Sequence, residues 1–168
     1  MVLTKQELVT ALQKETRILL HLAGKLDAAQ VDYRPTPKQR SALELLRYMS
    51  FMGPQVIAAA KARAFDGAAW KAAVSAADLK GFDETIAVIN TLPDTYAALL
   101  ADMTDDDFRA EMTGFDGSKL SSGAFIVSIV LGGHAAYRTQ LFCYLKACGQ
   151  EQLGTSNLWR GVDAMAPV

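Results

Sequence analysis

Apolar residues recur along this chain at three- and four-residue intervals, and no run alternates as a half-buried strand would. Leu8, Leu12, Leu19, Leu22 and Leu26 fall near one face of a first helix, with Glu7, Lys14, Arg17 and His21 on the opposite ridge. The stretch T-K-Q-E predicts its start as a capping box. The Thr4 hydroxyl takes an orphan backbone N–H, Glu7 reaches back to the cap, and Gly24 lies near the helix end. Pro35 and Pro37 then forbid a helix through VDYRPTPKQRS (31–41) and favour an extended connection. A second capping box, Ser41 with Glu44, opens a helix running toward Phe65. Pro54 has no N–H for the Ser50 carbonyl, so a kink or a break is expected at Gly53-Pro54.

After a turn at Asp66-Gly67, a short helix around residues 68–77 carries Trp70. A third long helix is expected from Asp83 to about Met103, bent at Pro93. TDDDF (104–108) reads as a turn with a short helical start, and GFDGSK (114–119) as a loop. Ser121 or Ser122 caps the last long helix, which closes at Gly149 as its C′ residue. The tail from Gln150 has no clear period, and Trp159 and Val162 are the residues expected to dock it. Four long helices joined by loops predict an all-α fold, a four-helix bundle with a short extra helix between the second and third long ones. Residues 1–168 are taken as one domain, with 149–168 as a tail packed on the bundle.

Composition narrows the function classes. At 168 residues a single core buries roughly 70% of the unfolded chain's surface, so no disulfide or metal staple is required. The formal net charge is −1 and there is no polybasic run, which argues against a nucleic-acid partner, because phosphate neutralisation supplies most of that affinity. MVLTKQELVTALQKETRILL is charged every few residues and lacks the apolar core of a signal peptide, and no run of about 18 apolar residues offers a membrane span. Cys143 and Cys148 point to different faces of one predicted helix, so free thiols in a reducing cytoplasm are the simplest reading.

The last helix carries the candidate chemistry. At 100° per residue, Ile126, Val130, Tyr137, Leu141, Tyr144 and Cys148 project toward the core, with Gly133 and His134 flanking that stripe. Arg138 falls further round, as a rim ion-pair residue. Gly132 and Gly133 cost the helix on the order of 2 kcal/mol against alanines, which points to close packing or to room for a ligand. His134 reads most simply as a hydrogen-bonded core or rim residue, and Tyr137 and Tyr144 as core aromatics. No nucleophile–base pair, phosphate loop or dinucleotide fingerprint is evident.

VDYRPTPKQRSALELLRYMSFM (31–52), followed far downstream by GGHAAYRTQLFCYLKACG (132–149), resembles the DinB/YfiT-like superfamily. Members open the second helix with a Pro-containing loop, a Ser or Thr cap and an L-x-H turn. Their last helix reads roughly H-x-x-x-H-R-G-Q-L-x-x-Y-L-R-x-x-G, of which R-T-Q-L-F-C-Y-L-K-A-C-G (138–149) matches the second half. The resemblance implies a four-helix bundle, often dimeric, in which many members hold zinc or nickel through three histidines and some act as thiol-dependent S-transferases or isomerases.

Carried over position by position, the three ligands land on Tyr48, Gly133 and Tyr137, all substituted, while His134 stands one residue out of step. The chain has only 2 histidines, which rules out a three-histidine site within it. No metal and no cofactor are therefore expected. Tyr48, Gly133, His134, Tyr137 and Arg138 become candidates for lining a pocket at the former metal position, with the two tyrosine hydroxyls bonded to each other, to His134 or to water. The reading that follows is a binding or assembly module rather than an enzyme, with a small-molecule ligand and a homodimer as expected partners. Its alternatives are a metal-independent enzyme of thiol S-transferase-like chemistry and a metal enzyme with rebuilt ligands.

Overall fold

A computed structural model of the chain describes residues 3–164. The bundle is built by α1 (Lys5–Ala23), α2 (Ala42–Ala62), α4 (Phe82–Ala101) and α7 (Gly132–Ala147). α1 and α2 each pack on both α4 and α7. The short α3 (Gly67–Asp78) lies against α2. Both expected capping boxes form, Thr4 with Glu7 and Ser41 with Glu44, and Asp66 caps α3 through the backbone N–H groups of Ala68 and Ala69. Each cap satisfies N–H groups that a helix start would leave unpaired. The core is drawn from one stripe of each long helix: Leu12, Leu19 and Leu22; Leu45, Met49, Met52 and Ile57; Ile89, Leu92, Tyr96 and Leu100; Leu141 and Leu145.

Of the kink or break expected at Gly53-Pro54, the break does not occur, and α2 runs on through Pro54. The reason lies in its neighbours. Met49, Met52, Val56 and Ile57 are buried on both sides of the proline, and Gly53 lets α4 approach closely. A Cβ at Gly53 would lie 2.8 Å from two ring carbons of Tyr96. Packing on both sides holds the helix through the one backbone bond that Pro54 removes. α4 is likewise continuous through Pro93.

Between α4 and the last helix stands a feature absent from the periodic pattern. After α5 (Asp105–Arg109), β1 (Glu111–Thr113) and β2 (Lys119–Ser121) pair antiparallel with Met112 opposite Leu120, so GFDGSK forms the tip of a hairpin. These strands are too short for alternation to stand out. Ser121 caps α6 (Ser122–Phe125), and the buried Ser122 hydroxyl donates to the Ala60 and Ala110 carbonyls.

The chain then makes a π-helical turn, Ile126–Leu131, before α7. A π turn advances less than 100° per residue, because its hydrogen bonds span five residues instead of four. It therefore re-phases everything downstream. The buried stripe of the last helix is Ile126, Val130, His134, Arg138, Leu141 and Leu145, with Tyr144 beside it. Uniform α geometry misses this by placing Tyr137 in the core and Arg138 near the rim. Tyr137 is half-buried, and Arg138 is only 3% exposed.

The C-terminal segment crosses α1 and α7 with α8 (Thr155–Arg160). Its anchors are Leu153 and Asn157, both buried, whereas Trp159 and Val162 are exposed. Asn157 bonds His21 Nε2 at 3.0 Å and Asp163 at 2.9 Å, so His21 is covered by this segment instead of standing on an open polar ridge. Gly161 takes a left-handed φ of 64°, and a Cβ there would lie 3.1 Å from the Ile18 Cα. The last tail residues, 165–168, lie outside the described residues.

Candidate functional site

The positions picked out along α2 and α7 meet as two rungs of an antiparallel helix pair. On the inner rung, Met52 faces Gly133, and a Cβ at Gly133 would lie 2.9 Å from the Met52 Cε. The space left by the missing side chain is thus filled by a thioether. One turn outward, Tyr48 faces Tyr137 with ring centroids 5.1 Å apart. Above them stands Arg40, the residue before the Ser41 cap. Its guanidinium carbon lies 4.2 Å from the Tyr48 ring centroid and 5.9 Å from that of Tyr137. One of its terminal nitrogens donates to the Tyr137 hydroxyl at 3.5 Å.

The two-proline loop sets this arrangement. Backbone bonds from Ala42 to the Tyr33 carbonyl and from Leu43 to that of Val31 fold the loop onto the start of α2. The Tyr144 hydroxyl, held by Gln140, donates to the Arg40 carbonyl at 3.0 Å and ties the loop to α7. The aromatic surface continues sideways from Tyr48 to Phe51 at 5.6 Å and from Phe51 to Trp70 on α3 at 5.2 Å. Burial raises the Tyr48 phenol above its ordinary range, and the Tyr137 hydroxyl adds to this while the Arg40 charge opposes it. Tyr48 is a neutral donor at physiological pH.

The structure does not bring His134 and Arg138 to this rung. His134 turns into the core, where its Nε2 lies 2.7 Å from the Tyr96 hydroxyl of α4. Its Nδ1 is buried without a hydrogen-bond partner among the described residues. Burial pushes the imidazole down to about 4 and raises the Tyr96 phenol, so both groups of the dyad stay neutral across the physiological range. Arg138 forms a buried ion pair with Glu15 of α1, donates to the Leu158 carbonyl of α8, and stacks 5.1 Å from the Trp159 ring centroid. It is a structural tie between α1, α7 and the C-terminal segment. The expected hydrogen bond from the tyrosine pair to His134 is replaced by that of Tyr96.

These residues do not fit a divalent metal. One of the three carried-over positions has no side chain, and its space is occupied by Met52. The other two hold phenols, poor ligands near neutral pH. His134 is engaged elsewhere, and among the described residues no group of three or more His, Cys, Asp or Glu side chains is placed to hold a metal ion.

Sequence reasoning missed Arg40, Met52 and Tyr96. Arg40 directly precedes a strong cap, which was a usable signal, since a residue there must sit at the mouth of α2. Nothing local marks Met52 or Tyr96, whose roles arise from what faces them across the bundle.

No family model matches the chain, and no curated protein matches it in sequence. Its structure matches the crystal structure of a DinB-like protein, YjoA, from Bacillus subtilis. The TM-score is 0.67 and the sequence identity 17%, over 88% of this chain and 95% of the other. The chain has a DinB-like all-α fold, and the likeness at this identity is one of fold.

Proposed function

We propose that this DinB-like bundle is a metal-free binding module whose working surface is the outer rung of the α2–α7 pair. The observation that carries the reading is the replacement at that rung. Two phenols and a guanidinium converge where the resemblance implies metal ligands, and Met52 closes the rung beneath. Aromatic faces with a few convergent polar groups are what small-molecule sites are generally made of. Metal analysis of untagged protein tests the first half of the proposal, since one equivalent of a bound transition metal overturns it. A thermal-shift screen of small organic acids and thiols tests the second. A hit whose shift is lost in Tyr137→Phe or Tyr48→Ala, and kept in Arg160→Ala, supports the surface. A hit that stabilises all variants equally removes it.

A homodimer is the second reading, favoured by a separate observation. Phe65 and Phe115 stack at 5.4 Å yet are 49% and 58% exposed, and Leu79 at the end of α3 is 86% exposed. An exposed, stacked aromatic pair such as Phe65–Phe115 is the kind of apolar patch that marks an assembly surface. Sedimentation of the wild-type chain and of Phe115→Ser decides this, because a monomer in both ends the dimer reading.

A further inference from the structure

We infer that Arg40 makes the outer rung a site for a small carboxylate with an apolar or aromatic body. This rests on the metal-free reading of the same surface and names its ligand class. A guanidinium carries five N–H donors in a planar fork. Among the described residues Arg40 gives one hydrogen bond, to the Tyr137 hydroxyl at the 3.5 Å limit, and forms no ion pair. The other loop arginine, Arg34, is paired with Glu44 at 2.9 Å. The charge of Arg40 is thus uncompensated while its position is held. Its carbonyl is tied to α7 through Tyr144, and its planar group lies over the Tyr48 ring at 4.2 Å. With one bond given, the remaining N–H groups of the fork have no partner among the described residues, and that fork matches both oxygens of a carboxylate.

The surroundings select the rest of the ligand. Tyr48, Phe51 and Trp70 form a contiguous edge-to-face aromatic cluster that begins at the ring under the fork, with centroids 5.2 to 6.2 Å apart. A carboxylate seated on Arg40 would lay its attached group along that cluster. The Tyr137 hydroxyl, already accepting from Arg40, has its own proton to donate to the same carboxylate.

Isothermal titration of the full chain with phenylacetate, its neutral amide and inorganic phosphate tests this. Phenylacetate is expected to bind, the amide not detectably, and phosphate more weakly than phenylacetate. Arg40→Gln is expected to lower phenylacetate affinity about tenfold or more, the loss typical of a charge-assisted hydrogen bond. Arg40→Lys is expected to recover only part of it, and Trp70→Ala to weaken phenylacetate but not phosphate. Arg40 is exposed and the bond to its backbone carbonyl does not depend on its side chain, so the Arg40 variants should fold as the parent does, which far-UV circular dichroism checks for them and for Trp70→Ala. Equal binding of acid and amide, equal affinity in wild type and Arg40→Gln, or no binding of any probe at millimolar concentration overturns the inference. None of these outcomes touches the metal-free reading, which the metal analysis decides alone.

Discussion

Neighbouring residues on α7 serve opposite environments. Gly133 and Tyr137 meet α2 on one side, and His134 and Arg138 meet α4, α1 and α8 on the other. The inner side is closed. His134 bonds Tyr96 and is held neutral by burial, and Arg138 is matched by Glu15 and the Leu158 carbonyl. The outer side is open at its last turn, where an arginine without an ion-pair partner among the described residues lies on two tyrosines. Charge in the core demands a fixed partner, because an uncompensated buried ion is costly. Charge at the rim is solvated and remains available to a ligand. The groups with the most reactive names, a histidine and a conspicuous arginine, are therefore the structural ones.

This contrast breaks most sharply at Arg138. Its replacement by Ala strands Glu15, whose side chain is only 13% exposed, and frees the C-terminal segment. A loss of about 3–5 kcal/mol is expected in urea unfolding, with faster hydrogen exchange across α8. A loss below about 1 kcal/mol, the range of exposed ion pairs, contradicts the buried pairing.

The next largest effect is acid sensitivity from the dyad. The folded-state value of His134 is depressed to about 4, against about 6.5 unfolded. Above the unfolded value both states are neutral and the stability is complete. As pH falls from about 6.5 toward 4 the unfolded chain takes up a proton that the folded one refuses, and about 3 kcal/mol is lost. Unfolding free energies measured across that window should fall less steeply in His134→Gln. His21, also depressed by burial, contributes alike to both proteins and cancels. Parallel slopes contradict the assignment.

The two helix-pair glycines sharpen the comparison further. Gly53→Ala drives a methyl against the fixed Tyr96 ring and should cost about 2 kcal/mol after the helix-propensity gain. Gly133→Ala meets only the mobile end of Met52, so gain and strain should cancel to within about 1 kcal/mol. Equal melting shifts for the two variants would mean that the α2–α4 and α2–α7 contacts are equally tight. Smallest of all is Arg40→Ala, expected within about 0.5 kcal/mol of the parent, because its side chain supports no buried group. A larger loss would make Arg40 a structural tie like Arg138.

Much of the fold was legible in local chemistry. Thr4–Glu7 and Ser41–Glu44 marked two helix starts, and leucine spacing marked the core face of α1. Pro35 and Pro37 marked a helix-free connection, and Gly149 takes the positive φ expected just beyond the end of α7. The candidate site was half legible. Tyr48 and Tyr137 do meet, but His134 and Arg138 belong to another face, and Arg40 was missing. The misplacement of His134 and Arg138 has one origin, the π turn at Ile126–Leu131, which changes the phase of every later residue without a residue type that announces it.

By itself, then, the sequence determined the helices, their caps and the bundle class, because each follows from interactions within a few residues. It also ruled out a three-histidine site within one chain by simple count, with 2 histidines in the chain. Only the tertiary structure decided which face of α7 is buried, that Met52 fills the slot beside Gly133, and that Arg40 crowns the tyrosine pair. Those outcomes depend on side chains from helices far apart in the chain competing for the same volume, and no local pattern encodes that competition.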